Sequence, residues 1–135
     1  MSSGQQVFDP VRKRWVALTP EEAVRQQTIG LLHERYGYPL ELMQVEGTID
    51  VGGLARRCDI VVYDTTGTPY MIVECKRPEV AITQAVCDQA CRYNTVLKVP
   101  ILYLTNGTQQ VVVRVDFEQR RLLQLADVPC YGSTV

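Results

Sequence analysis

Two runs rich in β-branched residues, RRCDIVVYD (56–64) and TPYMIVECK (68–76), flank the segment DTTGTP, and no other feature restricts the fold so tightly. Gly, Thr and Pro clustered between two such runs are turn chemistry, so the pair reads as a β-hairpin. With the turn centred between Thr66 and Gly67, Asp64 pairs with Pro69 and Tyr63 with Tyr70. The same register sets Asp59 opposite Glu74. Opposed residues point the same way, with Cβ atoms about 4.5–5.5 Å apart. Alternation along the second strand then places Tyr70, Ile72, Glu74 and Lys76 on one face and Cys75 on the other. Asp59 is expected to begin its strand and Glu74 and Lys76 to end theirs, so the three should converge at one end of the sheet.

Like charges across a ladder repel. A cation between them removes the conflict, and Mg²⁺ suits two carboxylates, its other sites going to water or phosphate. A neighbouring lysine can hold a nucleophilic water or stabilise developing negative charge. Asp59, Glu74 and Lys76 are thus equipment for metal-assisted phosphodiester hydrolysis, with Mn²⁺ able to replace Mg²⁺.

The rest of the chain supplies the frame. Arg14 to Leu18 predicts a short strand, and TPEE predicts a helix start with Thr19 as N-cap and Pro20 first in the helix, running to about Tyr36. ELMQVEG and TIDVGG predict two short strands separated by glycines. From Pro78 the period changes, and Ile82, Ala85, Val86, Gln89 and Tyr93 share one helical stripe. ILYLTNGTQQVVVRVD predicts a hairpin turning near Asn106-Gly107, and RRLLQL an added edge strand. The order αβββαββ predicts one α/β domain over residues 1–135, a mixed sheet with helices against it.

These blocks resemble the PD-(D/E)XK nuclease superfamily: Asp59, fourteen intervening residues, then Glu74-Cys75-Lys76. VALTPEEAVRQ, ARRCDIVVYD, VECKRP, DQACRYN and LTNG, in that order, look more closely like the N-terminal nuclease domain of type I restriction enzyme R subunits and their small stand-alone relatives. Cys58 stands where the superfamily has the proline that names it. The resemblance implies a restriction-endonuclease-like fold and an Mg²⁺-dependent DNA endonuclease with Asp59 and Glu74 on the metal. It implies a further acid from the first helix, Glu22 or else Glu21, with Gln89 near metal or substrate and Tyr93 near DNA. A homodimer, or association with other restriction or repair subunits, is also implied; the sequence displays no interface for either. The R subunit carries a helicase motor, but 135 residues leave no room for one and contain no Walker A motif, so no ATP site is expected.

Each residue has a plainer role available. Asp59 could cap a turn, and Glu22, three residues after Thr19, could close a capping box. Tyr93 could be a core aromatic with its hydroxyl at the rim. Arg12, Lys13, Arg14, Arg25, Arg56, Arg57, Arg77 and Arg92 surround the site in sequence and could form a phosphate-binding face or a solvated mixed surface. Arg57 stands out, two residues before Asp59. His33, late in the first helix, reads as a surface residue. A nuclease-fold module that only binds DNA or protein, a ribonuclease, and a repair enzyme for branched DNA remain alternatives.

Net charge is −1, so nucleic-acid binding would need a local basic face. The longest apolar runs fall far short of a membrane span. The first ten residues lack the apolar region of a signal peptide, and five cysteines without a CxxC pair fit free thiols, so a cytoplasmic protein is expected. Cys87 and Cys91, four apart on one helix, read as small apolar side chains rather than a zinc half-site.

Overall fold

The computed structural model of the chain describes residues 4–51 and 53–133, apart from the side chains of residues 51, 54, 93, 95 and 96. An N-terminal hairpin, β1 (Gln6–Asp9) and β2 (Arg14–Ala17), replaces the single strand expected there. Helix α1 (Pro20–Gly30) follows, with the Thr19 side chain accepting the Glu22 N–H at 3.1 Å and Pro20 opening the first turn. The helix widens into a π-helical turn over Leu31–Arg35, where the Tyr36 N–H donates to the Leu31 carbonyl five residues back.

Six strands form the main sheet in the order β3 (Met43–Val51), β4 (Leu54–Tyr63), β5 (Pro69–Cys75), β6 (Ile101–Thr105), β7 (Gln110–Asp116) and β8 (Arg121–Leu125). Only β5 and β6 run parallel among these neighbours, and helix α2 (Gln84–Leu97) makes the crossover that a parallel pair requires. β3 is one continuous strand rather than the two short ones expected, passing straight through Gly47.

Two apolar layers hold the sheet. On one face Val24 and Ile29 of α1 and Leu32 of the π-helical turn pack with Val45, Ile60, Val73 and Tyr103. On the other, Cys87, Ala90, Cys91 and Leu97 of α2 pack on Cys58, Val61, Ile72 and Leu104. The α2 stripe therefore lies beside the one expected: the helix starts at Gln84 after a loop, and Ala85 and Gln89 are exposed rather than part of the core. Cys75 belongs to the α1 layer, as alternation requires. Tyr70 departs from it, packing on the α1 side near Tyr38, because a register shift at Val62/Tyr63 pairs Tyr63 with Pro69 rather than Tyr70.

A second irregularity shapes the site. Met43 and Val45 face α1, but Ile49, also odd-numbered, faces the α2 layer. On β4, Ile60 and Val62 face α1 while Cys58 faces the α2 layer. Both strands reverse phase at one level, between the pairs Val45↔Ile60 and Gly47↔Cys58. The residues at that level are Glu46, with φ +57°, and Asp59. A left-handed conformation turns the Glu46 backbone out of the pleat without adding a residue. Asp59 thus sits mid-strand at a kink, not at the start of its strand as expected.

Among the described residues no helix is long and apolar enough to cross a membrane. Tyr103 is fully buried and donates its hydroxyl to Gln110 Oε1 at 2.9 Å; burial, then the nearby Cys75, pushes its pKa up from 10.0 to about 12. Between those values an unfolded tyrosine loses its proton while the folded one keeps it, so stability falls as pH rises. We expect the denaturant midpoint to drop across pH 10 to 12, and to drop less in Tyr103→Phe, when unfolding is followed by circular dichroism.

Candidate active site

The β4–β5 ladder runs through Val62↔Met71, Val61↔Ile72 and Ile60↔Val73, and one further step of that register brings Asp59 level with Glu74. There the strands part. The Cys75 N–H donates to Asp59 Oδ2 at 2.7 Å, so the aspartate side chain fills the split where a ladder bond would otherwise lie. Asp59 Oδ1 accepts from Arg25 Nη2 at 3.2 Å, which reaches it from α1.

Glu74 opens the opposite way, onto a cleft of about 120 Å³ beneath α2, walled by Arg56, Glu74, Lys76, Val86, Gln89 and Leu104 with Ala90. Gln89, exposed on the near edge of α2, therefore faces the carboxylate and the lysine across one small space. Asp59 does not wall the cleft, but its charge acts on Glu74. Burial pushes the Glu74 carboxyl above its ordinary range; Asp59 adds to the rise, while Arg56 and Lys76 oppose it. Arg56 Nη2 donates to Glu74 Oε1, holding the buried carboxylate from the next strand.

Lys76 follows β5, and its N–H donates to the Thr105 carbonyl at 2.8 Å, extending the parallel ladder by one bond. Beyond it, buried Asn106 donates from Nδ2 to the Val80 carbonyl at 2.8 Å and accepts from the Thr108 and Gln109 N–H groups. The LTNG segment thus pins the loop that leaves Lys76, and Gly107, at φ +96°, makes its tight turn. Asn94 of the DQACRYN block locks the end of α2: its amide donates to the Val99 carbonyl at 2.8 Å and accepts the Val99 N–H at 3.3 Å.

Glu22 is buried, and its acceptors are engaged. Oε1 takes Arg12 Nη2 at 2.9 Å and Arg25 Nη1 at 2.7 Å, and Oε2 takes the Gln26 amide at 3.1 Å. It reaches Asp59 through Arg25 rather than by direct approach. Glu21 is more exposed, 3.6 Å from Arg25 Nη2. Arg12 also holds Asp9, whose carboxylate accepts the Val11 and Arg12 N–H groups at 2.7 and 2.9 Å. Burial alone would raise the Asp9 carboxyl, but these bonds outweigh it and hold it below the ordinary value. Among the described residues, no three His, Cys, Asp or Glu side chains are grouped as a metal site.

The remaining arginines separate. Arg57 is exposed and pairs with Glu46 at 2.8 Å, and Arg77 pairs with Glu79 at 2.8 Å. Arg92 is exposed on α2, and the Tyr93 side chain lies outside the described residues. His33 is exposed and donates from Nδ1 to the Tyr38 carbonyl at 2.9 Å. Sequence reasoning placed Arg25 and Arg56 only within a general basic surface. Their positions were readable in part: Arg25 lies three residues after Glu22 on one helix face, and Arg56 shares the parity of Cys58.

Residues 20–129 match the family model described as Type I restriction enzyme R protein N terminus (HSDR_N). No curated protein matches the sequence. Among solved structures, a fragment of a protein inferred to be the HsdR subunit of a type I restriction enzyme from Vibrio vulnificus YJ016 is similar, with a TM-score of 0.56 and 20% identity over 84% of this chain and 24% of that one. An Anabaena variabilis ATCC 29413 protein of the DUF820 group, inferred to be a nuclease, gives a TM-score of 0.51 and 11% identity over 90% of this chain and 76% of that one. The chain spans about a quarter of the length of that Vibrio fragment. The expected restriction-endonuclease-like α/β fold is the fold observed.

Arg25 is the common counter-ion of this region. Arg25→Met should cost about 3 kcal/mol in chemical denaturation, since it strands partly buried carboxylates without a cation. Adding Asp59→Asn should recover about 1 kcal/mol or more, a coupling that distant sites would not display.

Proposed function

We propose that this chain, which belongs to the type I restriction enzyme R protein N-terminus family, is a divalent-metal-dependent endonuclease that hydrolyses DNA phosphodiester bonds. The observation that carries this reading is the β4–β5 register, which sets Asp59 level with Glu74 at the strand split while Lys76 and Gln89 share the Glu74 cleft.

The donor set suits a hard cation. The charge of Asp59 acts on Glu74, and each carboxylate already leans on a positive group: Asp59 on Arg25, Glu74 on Arg56. Guanidinium groups stand in for positive charge that Mg²⁺ or Mn²⁺ would bring. Asp59 and Glu74 would hold the ion, with Glu22 able to join only by releasing Arg12 or Arg25. When bound, such an ion supplies Lewis-acid polarisation of a phosphodiester and neutralises charge developing on it.

The protein's own groups do the rest. Lys76 presents an ammonium to the cleft, where it can hold a water for attack or meet negative charge forming on a phosphoryl oxygen. Gln89 can orient the same water by donating or accepting. The Cys75 N–H fixes the Asp59 carboxylate, so it need not be ordered when substrate arrives. Arg57, Arg77 and Arg92, all exposed, would meet DNA phosphates. Partners under this reading are DNA and other restriction or repair subunits, or a second copy of the chain.

A second reading draws on the arginine pairs. Because Arg25 and Arg56 already neutralise the two acids, the same surface could serve a module that binds DNA without cutting it. Cleavage separates the two. Supercoiled, linear and branched DNA incubated with Mg²⁺ or Mn²⁺ should be cut by the wild type. Asp59→Ala and Lys76→Ala should each lower the rate by about 100-fold or more. DNA retained in a mobility-shift assay but uncut under every metal condition would favour the binding module.

A further inference from the structure

The β1–β2 hairpin lies ahead of the residues that match the family, 20–129, and the catalytic reading leaves it unused. Its inner face packs inward through partly buried Val7 and Val16, with Asp9 fully buried. Its outer face carries Phe8 directly opposite Trp15, and these are 46% and 63% exposed. The rings stand edge to face, centroids 5.6 Å apart at 70°. In the turn beside them Lys13 is exposed and in no ion pair among the described residues, while Arg14, opposite the inward-facing Asp9, belongs to the other face.

Below the rings the hairpin is tied to the candidate site. The Lys13 N–H donates to the Asp9 carbonyl at 2.7 Å, closing the turn, and Asp9 holds Arg12. Arg12 bonds Glu22, Glu22 bonds Arg25, and Arg25 bonds Asp59. A rigid aromatic pair with an open lysine in the adjoining turn is thus fixed to the network that holds the candidate catalytic aspartate.

We propose that this outer face is a binding platform for unpaired nucleotides of the DNA substrate, with a base stacked on Trp15 and a phosphate met by Lys13. The proposal rests on the nuclease reading and names its substrate class: DNA with a single-stranded segment. Base–aromatic stacking tolerates any sequence because every base has a π-face. The edge-to-face contact with Phe8 braces the indole, so little side-chain freedom is lost when a base arrives. A protein partner fits less well: two rings offer far less area than the roughly 800 Å² per partner of a stable interface, and a lysine stands beside them.

Trp15 is the only tryptophan in the chain, so its fluorescence reports on this face alone. The full chain, in EDTA to prevent cleavage, is titrated with a labelled single-stranded oligonucleotide and with the blunt duplex of the same sequence. The single strand should quench Trp15 and the duplex should do so weakly. Trp15→Ala should weaken single-strand binding, followed by anisotropy, by about 5- to 150-fold, the range of one base stack, and Trp15→Phe should keep most of it. Lys13→Gln should flatten the salt dependence. An unquenched Trp15, or equal affinity in Trp15→Ala, overturns the proposal. So does sedimentation in which the wild type self-associates and Trp15→Ala does not, since the face would then dock protein. Cleavage is scored separately: cutting without quenching sinks the platform alone, and quenching without cutting sinks the nuclease reading alone.

Discussion

A single buried guanidinium organises this end of the molecule. Arg25, 6% exposed, lies 2.7 Å from Glu22, 3.2 Å from Asp59, 3.6 Å from Glu21 and 3.8 Å from Glu46. Four carboxylates from a helix and two strands could not gather here without it, because burying an unpaired charge costs far more than a fold of this size can absorb. Arg25 itself is held charged: burial would lower its pKa, but Glu22, Asp59 and Glu46 outweigh that and raise it. The helix, the kinked strands and, through Arg12, the hairpin are therefore fastened by charge as well as by apolar packing. The network orients more than it stabilises, since buried ion pairs gain little over well-packed apolar groups.

That arrangement bears on how a metal could be accommodated. Asp59 leans on Arg25, which it shares with Glu22, and Glu74 on Arg56, on opposite sides of the sheet with the split between β4 and β5 between them. An incoming cation competes with groups already in place, so its affinity reflects an exchange of positive charge rather than the filling of a bare acidic hole. Lys76 differs: its ammonium shares the cleft with Glu74 without being anchored to it by an ion pair among the described residues. It is the cation in this cluster that can move toward substrate without unmaking an ion pair.

Much of this was legible in the sequence because the hairpin follows local rules. Period-2 alternation and a turn fixed by Asp64, whose Oδ1 accepts the Thr66 and Thr68 N–H groups at 2.9 and 3.0 Å, suffice to set Asp59 level with Glu74. The Tyr63–Tyr70 pairing failed although the Asp59–Glu74 register held, because the shift at Val62/Tyr63 is absorbed before the ladder reaches its far end. The α2 stripe was displaced because Cys87 and Cys91, weakly apolar by type, are the residues that bury, while Val86 and Gln89 are left to edge the cleft.

The phase reversal at Glu46 and Asp59 was not legible, and the reason is physical. A left-handed residue in a strand is ordinarily signalled by glycine, and Gly47 stands next door with no positive φ; the strained residue is Glu46. Its conformation is stabilised by long-range charge: Arg57 at 2.8 Å and Arg25 at 3.8 Å both draw on its carboxylate. Neither contact follows from local pattern, since one partner comes from the neighbouring strand and the other from α1. Without the reversal, Asp59 would continue the alternation of Ile60 and Cys58 and lie in a regular ladder. With it, the aspartate leaves the pleat and occupies the split, where Arg25 and the Cys75 N–H can both reach it. The least predictable backbone angle in the sheet is thus the one that makes a candidate site out of two ordinary strands.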